Sequence, residues 1–265
     1  MKVDLIALDV DGTLLNDDYE LTDETKQVIR ELHEGGSRIV LCTGRSPLNA
    51  IPVMEQLGLE GYLIAHNGAA TIHSVTRTMI HHYPFEVRAL APFVDYCRQE
   101  RLHFDVCTPF ELLLESWDEE KKEMYAKYML YPTKMEDIYQ LSEPVVKFTV
   151  YDADIALIDE VENKWKRMAE DAFHITRGGD FFVDMMDRQA TKGNALRHLA
   201  DYLGVQRERV LAIGNYFNDV EMLRFAGTGI AMGNAPEGVK EAADDVTLSN
   251  NENGVSAALR KYCFS

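Results

Sequence analysis

Asp9-Val10-Asp11-Gly12-Thr13 stands at the end of the apolar run Val3 to Leu8. Two carboxylates two residues apart at a strand's end can point the same way, and Gly12 lets the backbone turn sharply behind them, beside an incoming phosphate. A carboxylate so placed can attack phosphorus to give an aspartyl-phosphate, an acyl phosphate that water then cleaves, and Asp9 is the candidate nucleophile. Asp11 is the candidate acid that protonates the departing alcohol and the base that activates the water. The two groups need opposite protonation states, so their environments must push their pKa values apart. Mg²⁺ beside Asp9 would keep it ionised and screen its repulsion of the phosphate. The plainer alternative is a strand-to-helix turn that uses Asp, Gly and Thr for capping. A calcium loop of the EF-hand kind is excluded, because its sixth position requires Gly and is Leu14 here.

Three further segments could complete such a site. Thr43-Gly44-Arg45 offers a hydroxyl to a phosphoryl oxygen, a glycine that admits the phosphate to backbone N–H donors, and a cationic fork. Lys192, opening a helix, could neutralise Asp9 and the phosphate together. Gly214-Asn215-Tyr216-Phe217-Asn218-Asp219 offers oxygen ligands for a hard cation, with Asn215 and Asp219 as candidates. Each alone has an ordinary reading as a capping turn, a surface lysine or an Asn-rich turn. Together they supply different parts of phosphoryl-transfer chemistry, each at a strand's carboxyl end or at the start of a helix.

The elements that must position these residues alternate. Residues 1–82 read as β-α-β-α-β, with strands at Val3 to Leu8, Arg38 to Cys42 and Tyr62 to Ala65. The intervening helices begin at about Thr22 and at Ser46-Pro47, and glycines end them. Strands separated by helices predict a parallel, Rossmann-like α/β sheet that binds ligands at its carboxyl edge. From 83 to 186 the rhythm changes to an inserted α+β domain. It holds helices near Glu86 to Glu100, Asp118 to Tyr128 and Ile155 to Ala169, strands at His103 to Cys107 and Val145 to Tyr151, and a hairpin through Gly178-Gly179-Asp180. The β/α alternation resumes from 187 to 265. Short closing strands are expected at Ile230-Ala231 and Val246-Thr247.

The 265 residues suffice for one large or two modest domains. No apolar segment is long enough to span a bilayer, and Lys2 is followed at once by Asp4, without an export signal. The four cysteines form no Cys-x-x-Cys pair, and together these features predict a soluble, cytoplasmic chain with reduced thiols. A net charge of −17 opposes binding to nucleic acid or to an anionic membrane. It also repels phosphate esters, so Arg45, Lys192 and Mg²⁺ must offset the field locally. His81-His82 and the aromatic residues Trp117, Tyr125, Tyr128 and Tyr131 receive no role.

In this order, the DxDGT loop, the hydroxyl-glycine pair, the lysine and the acidic fourth segment resemble the haloacid dehalogenase superfamily. The long insert, with Thr43-Gly44-Arg45 and His66-Asn67-Gly68, resembles its Cof-type branch with the large C2B cap, over essentially the whole chain. The resemblance implies that Asp9 is nucleophile and metal ligand, and that Asp11 also offers its backbone carbonyl to Mg²⁺. It implies further that Thr43, Gly44 and Lys192 hold phosphate with Asn218 beside it, and that the insert selects substrate. One departure stands out: the family usually has Asp where this chain has Asn215. A neutral amide should weaken the metal site, with Asp219 compensating as an outer-shell partner or as a counter-charge to Lys192. The expected activity is Mg²⁺-dependent hydrolysis of small phosphate esters. A phosphomutase and a non-catalytic phospholigand-binding protein are the alternatives, and the oligomeric state is open.

Overall fold

The computed structural model describes residues 3–117, 119–127, 130–169 and 171–264. Lys2, Asp118 and Tyr128, named above, lie outside the described residues. The chain divides into two compact units, Met1–His81 with Thr191–Ser265, and His82–Ala190 between them.

The first segment runs β1 (Leu5–Leu8), α1 (Asp23–Glu34), β2 (Arg38–Cys42), α2 (Pro47–Leu57), β3 (Tyr62–Ala65), β4 (Ala70–His73) and β5 (Met79–His82). The insert carries α3 (Ala91–Glu100), β6 (His103–Cys107), β7 (Leu112–Leu114), α4 (Glu119–Lys127), β8 (Thr133–Lys134), β9 (Lys147–Tyr151), α5 (Ile155–Ala169), β10 (Phe173–Gly179) and β11 (Phe182–Asp187). The chain then returns with α6 (Lys192–Leu203), β12 (Val210–Gly214), α7 (Val220–Phe225), β13 (Thr228–Ala231), α8 (Glu237–Lys240), β14 (Asp245–Val246) and α9 (Gly254–Cys263).

In the first unit eight strands form one sheet, in the order β14-β13-β12-β1-β2-β3-β4-β5. The pairings from β14 to β3 are all parallel, and β4 turns back antiparallel on β3. All four residues of β1 are buried, as a strand covered by helices on both faces requires. Helix α1 forms because Val28, Ile29 and Leu32 share one face, and Thr22 caps it by accepting from the Thr25 N–H at 3.3 Å. One side of the sheet is sealed by Ala195, Leu196 and Leu199 of α6 and by Met222 and Leu223 of α7, packed with Leu5, Ala7, Val40 and Ile64. Chain order runs outward from β1 to β3 on one side and from β12 to β14 on the other. The gap between β1 and β12 is therefore the switch point at which open α/β sheets bind ligands.

The second unit is an α+β layer, a six-stranded sheet in the order β10-β11-β9-β6-β7-β8. Its core surrounds the fully buried Trp165 of α5, stacked on Phe148 at 5.1 Å and meeting Phe93 edge-on at 5.6 Å. Tyr125, from α4, donates its hydroxyl proton to buried Asp105 at 2.9 Å, a packing role within this unit. Nothing in the residue pattern predicts β4, β5, β7 or β8. They are short, and β4 exists because the chain reverses after β3 and finds a free strand edge. No helix among the described residues is long and apolar enough to cross a membrane.

Candidate active site

Four adjacent parallel strands, β12, β1, β2 and β3, end on one edge of the sheet, and the loops that leave them carry the chemical residues. Asp9 follows β1, Thr43 follows β2, His66 and Asn67 follow β3, and Asn215 to Asp219 follow β12. Lys192 arrives from the first turn of α6. A cation at that end of a helix opposes the helix dipole and needs compensation.

Two carboxylates provide it. Lys192 Nζ donates to Asp9 Oδ1 and to Asp219 Oδ1, each at 2.6 Å, and all three side chains are buried. Burial works against the lysine's charge, but the two carboxylates outweigh it and hold its pKa above the ordinary value. Burial raises the Asp9 carboxyl to about 7, the Asp219 charge adds to the rise, and Lys192 opposes it. Cys42, buried beside the triad, has its thiol pushed far up by burial and stays neutral.

The second oxygen of Asp9 faces Asn215. With its amide oxygen turned inward, Asn215 accepts from Thr13 Oγ1 at 3.0 Å and stands against Asp9 Oδ2 and the Asp11 carbonyl. Turned over, its NH₂ donates to Asp9 Oδ2 at 3.0 Å, to Thr13 Oγ1 at 3.0 Å and to the Asp11 carbonyl at 3.1 Å. Oxygens facing one another repel unless a cation or a proton lies between them, and ligands in an octahedron about 2.1 Å from Mg²⁺ stand about 3.0 Å apart. Asp9 Oδ2, the Asp11 carbonyl and the Asn215 amide oxygen therefore fit a hard cation. No group of three or more His, Cys, Asp or Glu among the described residues is placed to hold a metal, and in this niche two of the three donors are a main-chain carbonyl and an amide. Gly12 makes the turn possible. Its φ is +75°, and a Cβ there would lie 2.5 Å from the Asn215 amide nitrogen.

The other expected residues fall as follows. Asp219 Oδ1 is taken by Lys192, and its Oδ2 accepts the N–H groups of Asn215 at 2.9 Å and Tyr216 at 3.0 Å. With both oxygens engaged, it serves as a counter-charge to Lys192 and a brace of its own loop. Arg45 spends its fork on Asp11, with Nε on Oδ2 at 2.9 Å and Nη2 on Oδ1 at 2.6 Å. It is thus turned toward the candidate acid/base, where a phosphate contact was expected, because a bidentate carboxylate lies within reach. Thr43 is buried and its Oγ1 accepts from the Arg45 N–H at 3.1 Å, which leaves the hydroxyl proton to donate. Asn218 Nδ2 donates to Asn67 Oδ1 at 2.9 Å. Thr13 and Asn67 are the site residues that sequence reasoning passed over. Thr13 was legible as part of DxDGT, and Asn67 only as part of His66-Asn67-Gly68.

Comparison with known proteins bears on this geometry. The family described as haloacid dehalogenase-like hydrolase matches residues 6–259. The chain is 29% identical to phosphatase YwpJ of Bacillus subtilis (strain 168), over 97% of this chain and 98% of that protein. It is 30% identical to the 5-amino-6-(5-phospho-D-ribitylamino)uracil phosphatase YcsE of the same strain, over 99% of this chain and 96% of that one. The crystal structure of a haloacid dehalogenase-like hydrolase from Bacteroides thetaiotaomicron superposes with a TM-score of 0.88 at 28% identity, covering 98% of this chain and 99% of that chain.

Proposed function

Because the chain belongs to the haloacid dehalogenase-like hydrolases, in their Cof-type branch, and is a phosphatase, we propose that it hydrolyses small phosphorylated metabolites, sugar phosphates or similar monoesters, through a phosphoryl group carried on Asp9. The supporting observation is the division of labour on one carboxylate. Asp9 Oδ1 is held by a buried lysine, and Asp9 Oδ2 faces an oxygen-lined niche.

Mg²⁺, bound by Asp9 Oδ2, the Asp11 carbonyl and Asn215, would keep Asp9 ionised and offset charge on the phosphoryl oxygens. Thr43, the backbone at Gly12 and Gly44, and Asn218 hold the phosphate. Asp9 Oδ1 forms a bond to phosphorus as the ester P–O bond breaks, and Asp11 gives its proton to the departing alcohol. Water then attacks the same phosphorus, passes a proton to Asp11, and frees inorganic phosphate and the Asp9 carboxylate. Lys192 stays charged throughout, compensated by Asp219. Arg45 holds Asp11 between turnovers, and that pair opens for Asp11 to reach the leaving oxygen.

The test is a screen of phosphorylated metabolites with Mg²⁺, measuring released phosphate for wild type and Asp9→Asn, with mass spectrometry after acid quench. Wild type should release phosphate and carry a phosphoryl adduct on Asp9. Equal release from both proteins would remove Asp9 as the nucleophile.

A further inference from the structure

His66-Asn67-Gly68 is used by none of the steps above, yet it touches three of the loops that supply them. The His66 N–H donates to the Arg45 carbonyl at 2.9 Å and the Asn67 N–H to the Thr43 carbonyl at 3.0 Å. A Cβ on Gly44 would lie 3.0 Å from Asn67 Oδ1. A Cβ on Gly68 would lie 2.2 Å from the Thr191 carbonyl oxygen and 2.8 Å from the Lys192 nitrogen, so the segment is also seated on the start of α6. Asn67 Oδ1, at the centre, accepts from Asn218 Nδ2 at 2.9 Å.

The backbone is unusual at the same point. His66 and Asn67 are consecutive non-glycine residues in the left-handed region, at φ +49° and +55°. Such conformations persist where surrounding structure fixes them, and they cluster at functional sites. Asn67 is also buried. An amide presents a donor at one end and an acceptor at the other, and only the donor end suits a phosphate. Because Asn67 offers an oxygen to Asn218, it fixes which way round the Asn218 amide lies, with the NH₂ turned toward Asn67, itself set against Gly44, and a second N–H left to donate.

We infer that Asn67 is a positioning residue for phosphate, orienting the Asn218 amide and bracing the Thr43 loop from β3. The inference rests on the role proposed for Asn218. Its test is inorganic phosphate binding to the full chain at fixed Mg²⁺, by calorimetry, for wild type, Asn67→Gly, Asn218→Ala and the double variant. Glycine keeps the left-handed backbone and removes only the side chain.

Each single change should weaken phosphate binding on the order of tenfold, the effect of one charge-assisted hydrogen bond. The double variant should bind no more weakly than Asn218→Ala, because one residue acts through the other. Wild-type affinity in Asn67→Gly, or losses that multiply in the double variant, would overturn the inference. If Asn67→Gly does not fold, Asn67→Ser, whose side chain is too short to reach Asn218, takes its place with the same expectations. Binding is read without turnover, so retained activity in Asp9→Asn would end the proposed mechanism and leave this cycle standing.

Discussion

Replacing Lys192 by Met separates what holds the site together from what performs the chemistry. The methionine fills nearly the same volume but leaves Asp9 and Asp219 facing each other without the cation that each contacts at 2.6 Å. Removing one partner from a buried ion pair costs about 3–5 kcal/mol, and because Lys192 serves two carboxylates the upper end, about 5 kcal/mol, applies. For a chain of this size that is a fall in melting temperature of roughly 10–20 °C. Adding Asp219→Asn removes one stranded charge while keeping an oxygen for the Asn215 and Tyr216 N–H groups, and Asp9 can then take up a proton. Lys192→Met/Asp219→Asn should therefore regain about half of the lost stability. Activity should not return. With no lysine beside Asp9 Oδ1 the double variant should stay at least roughly 10²–10³-fold below wild type in kcat, as when one preorganised donor to the transition state is lost. Thermal scans and steady-state phosphate release read the two quantities separately. A single variant melting within about 2 °C of wild type, or a double variant less stable than the single, would refute the charge argument.

The Asn215 position predicts a metal effect: Asn215→Asp, which restores a negative ligand, should lower the Mg²⁺ concentration for half-maximal activity by about tenfold, and equal half-saturation in both proteins would refute it. Arg45→Met frees Asp11 from its bidentate partner, so turnover of substrates with poor leaving groups should change by about tenfold, whereas an aryl phosphate that needs no proton should be nearly unaffected in its first step. Matching changes for both substrate types would place Arg45 on the phosphate instead. Stability in EDTA should fall as pH rises. Asp9 is raised to about 7 and Asp105 to about 6 from a common 3.8, chiefly by burial, so the folded state binds more protons than the unfolded state between about pH 4 and 7. Denaturant titrations across that window should show the decline, Mg²⁺ should flatten its upper part, and Asp105→Asn its lower part. Stability that rises with pH over the window would contradict the sign.

What could be read from the chain, and what could not, follows from how local each feature is. Asp9, Asp11 and Thr43 were legible because β-α alternation puts strand ends on one edge, and a residue just past a buried apolar run must sit there. Helix α5 was legible to the residue, and so was the start of α6 at Lys192, since apolar periodicity and helix-start signals are local. For Asp219 the sequence left two roles open, outer-shell partner or counter-charge to Lys192, and the contact with Lys192 depends on β12 lying beside β1 while α6 crosses the sheet, an adjacency that no spacing encodes. Asn215 shows the same limit more sharply. Its change from the family's usual Asp is visible as a letter, but its consequence depends on which end of the amide faces Asp9 Oδ2, and that depends on the charge between them. A cation, or a proton on Oδ2, draws the amide oxygen inward, and an ionised Oδ2 with no cation beside it accepts from the nitrogen turned in. The substitution thus converts a fixed anionic ligand into one whose hydrogen-bonding sense depends on metal, a property of the assembled niche of Asp9, Asp11, Thr13 and Asn215 and of no residue in it alone.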